Sequence, residues 1–252
     1  MHMNTKHEFA LYVPNISTIL RTVQINSSFT LDDPALVARI TTILRLRVGE
    51  SFTIFDTTLH ATCVLALVGK KNVTCTLVAK QLNNQLRPKI TFILPVLKRD
   101  DLQEALYCLV ELGANHIQLV LTQKIHRQLG DKKEFERLRR IMIAAAEQSK
   151  NFTIPSLCEP IALHTYLEKL SGNAQKIYFD VEGQQAMSVV QQIKVDAMQE
   201  LYLMVGPEAD LTPEEKALLR SHNFIFCMLT PTVLRAAQAV AVGLGIFRSM
   251  LR

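Results

Sequence analysis

Two short loops near the end of the chain carry the residues best suited to hold a ligand. Each follows an apolar run that predicts a buried strand: Gly206-Pro207-Glu208 follows Leu201 to Val205, and Thr230-Pro231-Thr232 follows Phe224 to Leu229. A glycine lets a flat ligand approach the backbone, and a proline fixes the turn. Because open α/β sheets hold ligands at the carboxyl ends of parallel strands, the two loops predict one binding site. The alternative for the first loop is an ordinary strand-to-helix turn.

Arg235 follows the second loop closely. The apolar pattern of Val233 to Met250 predicts a closing helix whose first turn carries this arginine. On such a helix an arginine either pairs with a nearby carboxylate or faces an anionic ligand, and composition leaves both interpretations open.

A second set of charged residues could neutralise phosphates. An amphipathic pattern predicts a long basic helix from about Lys133 to Ser149. The basic side chains on and beside it are Lys132, Lys133, Arg137, Arg139, Arg140 and Lys150, and an earlier segment adds Arg45 and Arg47. They predict an RNA-binding surface, with solvated helix faces and general solubility as the alternative.

Composition favours a protein of the reducing cytosol with an anionic partner. The chain has 252 residues, 48% of them hydrophobic, a net charge of +5 and a pI near 9.0. The charge fits a nucleic acid, although many cytosolic enzymes are equally basic. The cysteines are odd in number and lack a CxxC pair, so the sequence indicates neither disulfides nor zinc. Without an apolar signal core or a segment long enough to span a bilayer, we expect a cytoplasmic protein that does not enter the membrane.

Several familiar chemical signatures are missing from the sequence. There is no GxxxxGK[ST], GxSxG or HExxH motif, so P-loop, hydrolase and zinc-enzyme interpretations are disfavoured. Gly243-Leu244-Gly245 lies inside a predicted helix rather than after a strand, which indicates close helix packing instead of dinucleotide binding.

The predicted elements divide the chain into two domains, residues 1–80 and 81–252. Short β-rich runs with intervening turns predict a small antiparallel barrel in the first domain, interrupted by one helix over Pro34 to Leu46 that Asp32 or Asp33 caps. Gln81 to Lys89 is a predicted linker. Alternating strands and helices then predict an α/β domain with a parallel sheet, in which Asp100 and Asp101 cap the first helix and Thr212 begins a later helix through a capping box with Glu215. Its five predicted strands are Ile90 to Leu94, His116 to Leu121, Lys176 to Phe179, Leu201 to Val205 and Phe224 to Leu229.

The order of several short motifs resembles the ribosomal RNA small subunit methyltransferase E family over nearly the whole chain. These motifs are Ile43-Leu44-Arg45-Leu46-Arg47-Val48-Gly49, Phe55-Asp56, Glu111-Leu112-Gly113, Ala144-Ala145-Ala146-Glu147-Gln148-Ser149 with Pro155, Val205-Gly206-Pro207-Glu208, and Leu229-Thr230-Pro231-Thr232-Val233-Leu234-Arg235. The resemblance implies an N-terminal PUA-like β-barrel that binds RNA and a C-terminal SPOUT methyltransferase domain with a trefoil knot.

The same resemblance implies a function. Members of the family bind S-adenosyl-L-methionine (SAM) in the knot loops and methylate N3 of a uridine in small-subunit ribosomal RNA, usually as homodimers. It implies that Arg235 is catalytic and that a set of loop residues binds the cofactor: Gly206, Pro207, Glu208, Met228, Leu229, Leu234 and Ala236. No metal is implied.

Departures from the family pattern leave a second function open. Where the family reads GPEGG, this chain has Gly206-Pro207-Glu208-Ala209-Asp210, and Ala236-Ala237-Gln238 stands in place of a polar TET. Thr122-Gln123-Lys124 stands in place of SER. The rival to an enzyme is therefore a catalytically weakened or silent RNA-binding protein with the same SPOUT fold, and SAM binding distinguishes a silent protein from an enzyme.

Overall fold

The structure, a computed structural model, describes residues 8–124, 129, 132–170, 172, 174–193 and 199–250. They form two compact units. The first contains the described residues up to Asn84 together with Ala146–Thr153, and the second contains those of Gln85–Ala145 and from Ile154 onward. Each unit has its own sheet and its own apolar core.

The first unit is built on a five-stranded sheet. Its strands are β1 (Ala10–Tyr12), β2 (Ser28–Leu31), β3 (Ser51–Phe55), β4 (Leu59–Val68) and β5 (Val73–Leu82), in the order β1-β3-β4-β5-β2. Alternating apolar residues of β4 and β5 face the core, as their period of two requires. The sequence predicted an antiparallel barrel, but β1 pairs in parallel with β3 and the described strands form an open sheet.

Two short helices cover this sheet. They are α1 (Ile16–Leu20) and α2 (Pro34–Ala38), and a π-helical turn over Arg39–Ile43 extends α2. The Asp33 carboxylate accepts the Leu36 N–H at 2.7 Å, which confirms Asp33 as the cap. The helix predicted over Pro34 to Leu46 is therefore shorter and changes to π geometry.

The second unit is an α/β structure with a wholly parallel sheet, as the alternation of elements predicted. The strands are β6 (Lys89–Pro95), β7 (His116–Leu121), β8 (Ser156–Ala162), β9 (Gln175–Gln185), β10 (Glu200–Val205) and β11 (Ile225–Met228), in the order β11-β9-β10-β6-β7-β8. The sixth strand, β8, was not predicted. It is an edge strand with few buried side chains and a proline, so it lacks the apolar run that marks the others.

Six helices complete the described secondary structure. One of them, α4, contributes residues to both units. They are α3 (Arg99–Glu111), α4 (Lys132–Ser149), α5 (Leu163–Leu167), α6 (Ala186–Gln192), α7 (Pro213–Ser221) and α8 (Ala236–Met250). The predicted capping box of α7 is confirmed: Thr212 and Glu215 each bond the other's backbone N–H. The prediction that Asp100 and Asp101 cap α3 is wrong, because α3 begins at Arg99 and both carboxylates lie in its first turn.

Helix α8 is held in the second unit by a close approach and a buried arginine. Gly243 packs so tightly on the Phe179 ring that any Cβ there would overlap it, which confirms helix packing as the reason for this glycine. The Arg248 guanidinium donates to the carbonyls of Pro88 and Gly113 at 2.8 and 2.7 Å, and burial lowers its pKa to about 10. These contacts hold the last helix against the segment that begins the unit.

Two kinds of feature are absent from the described residues. No helix among them is long and apolar enough to cross a bilayer. Within the same part of the chain, no group of three or more histidine, cysteine, aspartate or glutamate side chains is arranged to hold a metal ion.

Candidate active site

A cavity of about 610 Å³ lies in the second unit at the carboxyl ends of β9, β10 and β11. The three strands are neighbours on one side of β6, so the segments that follow them meet at one edge of the sheet. Gly206, Pro207 and Glu208 line the cavity from the end of β10, and residues 229–230 and 232–236 line it from the end of β11. The structure thus brings together the two loops from which a single binding site was predicted.

A break in the β9 ladder supplies the third wall. Phe226 of β11 pairs with Tyr178 of β9, but the next residue, Cys227, pairs with Gln184, so residues 179–183 leave the regular ladder. Gly183 lies against the backbone of Phe226 and Cys227, where a Cβ would overlap main-chain atoms. The break turns Asp180 and Val181 into the cavity.

Close packing shapes the loop after β10. A Cβ on Gly206 would lie 2.9 Å from the Tyr178 hydroxyl, so the absence of a side chain allows the loop to rest on this ring. At the other end of the motif, the Glu208 Oε1 accepts the N–H of Lys98, the residue that precedes α3, at 2.7 Å. This bond ties the segment between β6 and α3 to the Gly206-Pro207-Glu208 loop.

An ionic cluster forms one side of the cavity. The Lys216 Nζ lies 2.8 Å from carboxylate oxygens of both Asp180 and Asp210, and the Tyr178 hydroxyl donates to Asp210 at 3.3 Å. Burial acts against the charge of Asp210, but the contact with Lys216 and the Leu211 N–H outweigh it, so the pKa of Asp210 is lowered. Burial likewise opposes the charge of Lys216, and its two carboxylate partners nevertheless raise its pKa. Both shifts favour the charged forms of Asp210 and Lys216.

The sequence predicted Arg235 in the first turn of the closing helix. In the structure it lies immediately before α8, which begins at Ala236. Its carbonyl accepts the Ala239 N–H at 2.9 Å, and its own N–H donates to the Gln238 side chain at 3.3 Å, so it acts as the backbone N-cap. The guanidinium lines the cavity, 65% exposed, with Nη1 at 4.0 Å from Asp101 Oδ1. Both predicted environments, a carboxylate partner and a ligand cavity, are present.

Most of the residues proposed for the cofactor line the cavity. These are Gly206, Pro207, Glu208, Leu229, Leu234 and Ala236; Met228 is the exception, because it is the last residue of β11 and is not part of the wall. Thr230 and Thr232, from the second predicted loop, also line the cavity. Sequence reasoning missed a further group: Lys98, Asp101, Tyr178, Asp180, Asp210, Lys216 and Val233. Of these, only Asp210 and Val233 stood inside a quoted family motif. The others come from α3 and the residue before it, from β9 and from α7, whose convergence no spacing along the chain indicates.

The basic residues proposed for RNA lie outside the cavity lining. In the second unit, Arg139 and Arg140 are exposed on α4, and Arg137 is half-buried 3.6 Å from Glu134. In the first unit, Arg45, Arg47 and Lys150 are exposed. The backbone N–H of Arg47 donates to the Glu50 carboxylate at 3.0 Å.

The part of the chain that contains this cavity matches a known domain family. The RNA methyltransferase domain family matches residues 84–248. The chain is 25% identical to Ribosomal RNA small subunit methyltransferase E of Rickettsia conorii, over 87% of this chain and 89% of the relative. It is 26% identical to the protein of the same name from Mycobacterium bovis, over 81% of this chain and 80% of that one.

A solved structure shares the fold of the whole chain. The structure of Ribosomal RNA small subunit methyltransferase E from Neisseria gonorrhoeae, bound to S-adenosyl methionine, superimposes with a TM-score of 0.81 at 22% identity, covering 96% of this chain and 98% of that chain. The family match spans the entire parallel sheet and all three walls of the cavity. The chain therefore belongs to the RNA methyltransferase domain family.

Proposed function

We propose that the protein transfers a methyl group from SAM to N3 of a uridine in small-subunit ribosomal RNA. The observation that carries the proposal is the cavity at the ends of β9, β10 and β11, which lies inside the segment matched by the RNA methyltransferase domain. The relatives named for small-subunit ribosomal RNA support the choice of RNA. The N3 position rests on the resemblance of the motifs alone.

The cavity residues fit SAM in size and in charge. A volume of about 610 Å³ is in the range of pockets that enclose molecules of this size. Because Gly206 has no side chain, its loop rests directly on the Tyr178 ring at the cavity wall. The charged lining comprises four carboxylates and three basic side chains, a negative balance that suits the sulfonium and ammonium groups of SAM, although the chain as a whole is basic.

The aliphatic lining would receive the apolar parts of the cofactor. We propose that Gly206, Pro207, Glu208, Leu229, Leu234 and Ala236 bind it. When bound, SAM would supply an electrophilic methyl group to uridine N3 and leave as S-adenosylhomocysteine, while the N3 proton passes to solvent. The protein's task is alignment and stabilisation of the uracil anion.

Arg235 is our candidate for that stabilisation. Its guanidinium lines the same cavity, and its 65% exposed surface leaves it accessible to a uracil oxygen. Its backbone is fixed as the cap of α8, so the side chain extends from a rigid position. A cation so placed lowers the energy of negative charge that develops on the uracil ring.

The remaining parts of the proposal concern RNA and assembly. We propose that residues 1–80 form a PUA-like RNA-binding domain and residues 81–252 a SPOUT domain with a trefoil knot. The crossing of β10 between β9 and β6, before the chain returns to β11 at the edge, supports a knotted topology. Arg45, Arg47, Arg137, Arg139, Arg140 and Lys150 are the proposed phosphate contacts. We further propose a homodimer that acts in the cytoplasm on ribosomal RNA or the assembled small subunit.

Ligand-dependent melting tests the cofactor assignment. We expect SAM and S-adenosylhomocysteine to raise the melting temperature, and NAD and ATP to leave it unchanged, because only a ligand that binds the folded state stabilises it. A shift with NAD and none with SAM would contradict the proposal.

Mass mapping of nucleosides in small-subunit ribosomal RNA, from cells with and without the gene, tests the reaction. We expect one 3-methyluridine to disappear when the gene is removed and to return when it is restored. The competing function, an RNA-binding protein without catalysis, is favoured by Ala236 and Ala237 at positions where the family is polar. Unchanged methylation together with retained RNA binding would support that alternative.

A further inference from the structure

Asp210 occupies an unusual backbone position in the loop after β10. Its φ is +59°, in the left-handed region that side chains rarely adopt. Aspartate tolerates this region better than most residues because its short carboxylate can bond the local backbone, and here Oδ1 accepts the Leu211 N–H at 2.7 Å. The Asp210 N–H in turn donates to the Pro207 carbonyl at 2.9 Å, so the residue closes a turn within the cavity loop.

The same carboxylate joins three segments of the cavity wall. The Lys216 Nζ lies 2.8 Å from the Asp210 carboxylate and ties it to helix α7. The same Nζ lies 2.8 Å from the Asp180 carboxylate, which belongs to the bulged segment of β9. The Asp180 side chain is only 4% exposed, so this far anchor is rigid. Tyr178 adds a hydroxyl contact from β9 itself.

A second lysine holds the peptide groups on either side. The Lys124 Nζ donates to the carbonyls of Ala209 and Leu211, at 3.0 and 3.3 Å. The loop residue Asp210 is thus flanked by two ammonium groups, one on its carboxylate and one on the adjacent main chain. A loop with this many fixed points keeps one shape without a ligand.

We propose that Asp210 is a positioning residue that fixes the cavity loop in its ligand-binding shape through Lys216 and Asp180. The inference rests on the proposed function for its effect on SAM. It assigns a role to a position at which the resembled family has glycine: the side chain replaces the freedom of a glycine with a charged anchor. Preorganisation of this kind raises affinity by reducing the ordering that binding requires.

Amide hydrogen exchange of the unliganded protein tests the anchor itself. In Asp210→Ala, the amides of Asp210 and Leu211 should exchange about tenfold faster than in the wild type. Asp210→Asn, which keeps the local acceptor and loses the ion pair, should fall between them. Asn223→Ala is the matched control, because Asn223 is exposed, lies in the same unit with φ +62° and does not line the cavity. Unchanged exchange in both Asp210 variants would overturn the inference.

SAM affinity and methyl-transfer rate then separate positioning from general stability. We expect Asp210→Ala to raise the SAM dissociation constant about tenfold, with the rate at saturating SAM within about threefold of wild type. Lys216→Gln should reproduce part of the loss of SAM affinity. In the double variant with Asp210→Asn, the two losses of affinity should not add. If Asp210→Ala lowers the melting temperature as Asn223→Ala does and leaves the SAM affinity unchanged, Asp210 has a merely structural role. A lower rate with unchanged affinity would equally contradict positioning.

The two experiments distinguish this inference from the proposed function. If the wild type fails to bind SAM, the proposed function is wrong, while the exchange data still decide whether Asp210 holds the loop. If Asp210→Ala does not fold, Asp210→Asn and Lys216→Gln supply the same comparison, since both preserve side-chain size.

Discussion

Arg235 Nη1 lies 4.0 Å from Asp101 Oδ1, and both side chains line the same cavity. The separation is at the outer limit of an ion pair, and exposed pairs of this kind contribute less than about 1 kcal/mol. The contact therefore orients the guanidinium toward the cavity edge and leaves its other N–H groups available to a ligand. An arginine that had only a structural role would be expected to bind its carboxylate more closely.

Removal of the Arg235 side chain should affect the reaction more than binding. We expect Arg235→Ala to lower single-turnover methyl transfer about a hundredfold, because loss of one electrostatic contact to a developing anion costs on the order of 3 kcal/mol. The SAM dissociation constant, measured by calorimetry, should change little.

Asp101→Asn is the control for the Arg235 experiment. It removes the ion-pair partner and keeps the arginine, so methyl transfer should stay within a few-fold of the wild type. Equal losses in the two variants, accompanied by lower melting temperatures, would assign Arg235 to structure instead of chemistry.

Two glycines of the second unit should respond in opposite ways to alanine. In Gly206→Ala, the new Cβ would lie 2.9 Å from the Tyr178 hydroxyl, so we expect weaker SAM binding and a loss of about 1–2 kcal/mol in stability. At Gly245, in helix α8, a Cβ would have no neighbour within 4 Å, so Gly245→Ala should gain about 0.5–1 kcal/mol. Chemical denaturation measures both, and destabilisation by Gly245→Ala would contradict the packing described for α8.

Charge reversal on α4 should weaken RNA binding. Arg140→Glu should lower the affinity for small-subunit ribosomal RNA and reduce the slope of log affinity against log salt by about 1, as expected for a lost phosphate contact. Lys169→Glu makes the same charge change at an exposed site outside the proposed surface, so it is the matched control. Filter binding at several salt concentrations decides the matter, and equal effects of the two substitutions would indicate only a general response to net charge.

Acid should destabilise the first unit partly through Asp56. Its buried carboxylate accepts the backbone N–H groups of Ser17, Thr58 and Leu59 at 2.8, 2.7 and 3.0 Å. Burial opposes ionisation, but the bonds from Ser17, Leu59 and Thr58 prevail and lower the pKa of Asp56 below the ordinary value of an aspartate side chain. Because the folded pKa is lower than the unfolded one, this stabilisation is complete above the unfolded value and is lost as the pH falls through the folded value.

The Asp56→Asn variant tests this linkage. It should melt at a lower temperature than the wild type at pH 7, and the difference should shrink as the pH approaches 3. Asp32→Asn, at an exposed position, is the control and should leave the profile unchanged. A constant difference between wild type and Asp56→Asn from pH 7 to 3 would show that ionisation of Asp56 does not contribute.

Local patterns in the sequence predicted five of the six strands of the second unit and the sheet edge at which its cavity lies. Leu201 to Val205 predicted β10 because a strand buried on both faces needs a continuous apolar run, and Thr212 with Glu215 predicted the start of α7 because a capping box satisfies its own backbone donors. The Gly206 and Thr230 loops were assigned to one site because parallel strands end at one edge. These arguments use only interactions between residues near in sequence, or a rule about sheet direction.

Only the tertiary structure decided which side chains from distant elements meet. Asp180 enters the cavity because the β9 ladder breaks opposite Cys227, and the break depends on the close approach of Gly183 to a strand more than forty positions later. Lys216 reaches Asp180 and Asp210 from α7, and edge strand β8 forms by pairing with β7 despite a sequence without an apolar run. Such contacts depend on burial and hydrogen bonding between segments that the order of residues does not place together, so they arise only when the chain packs.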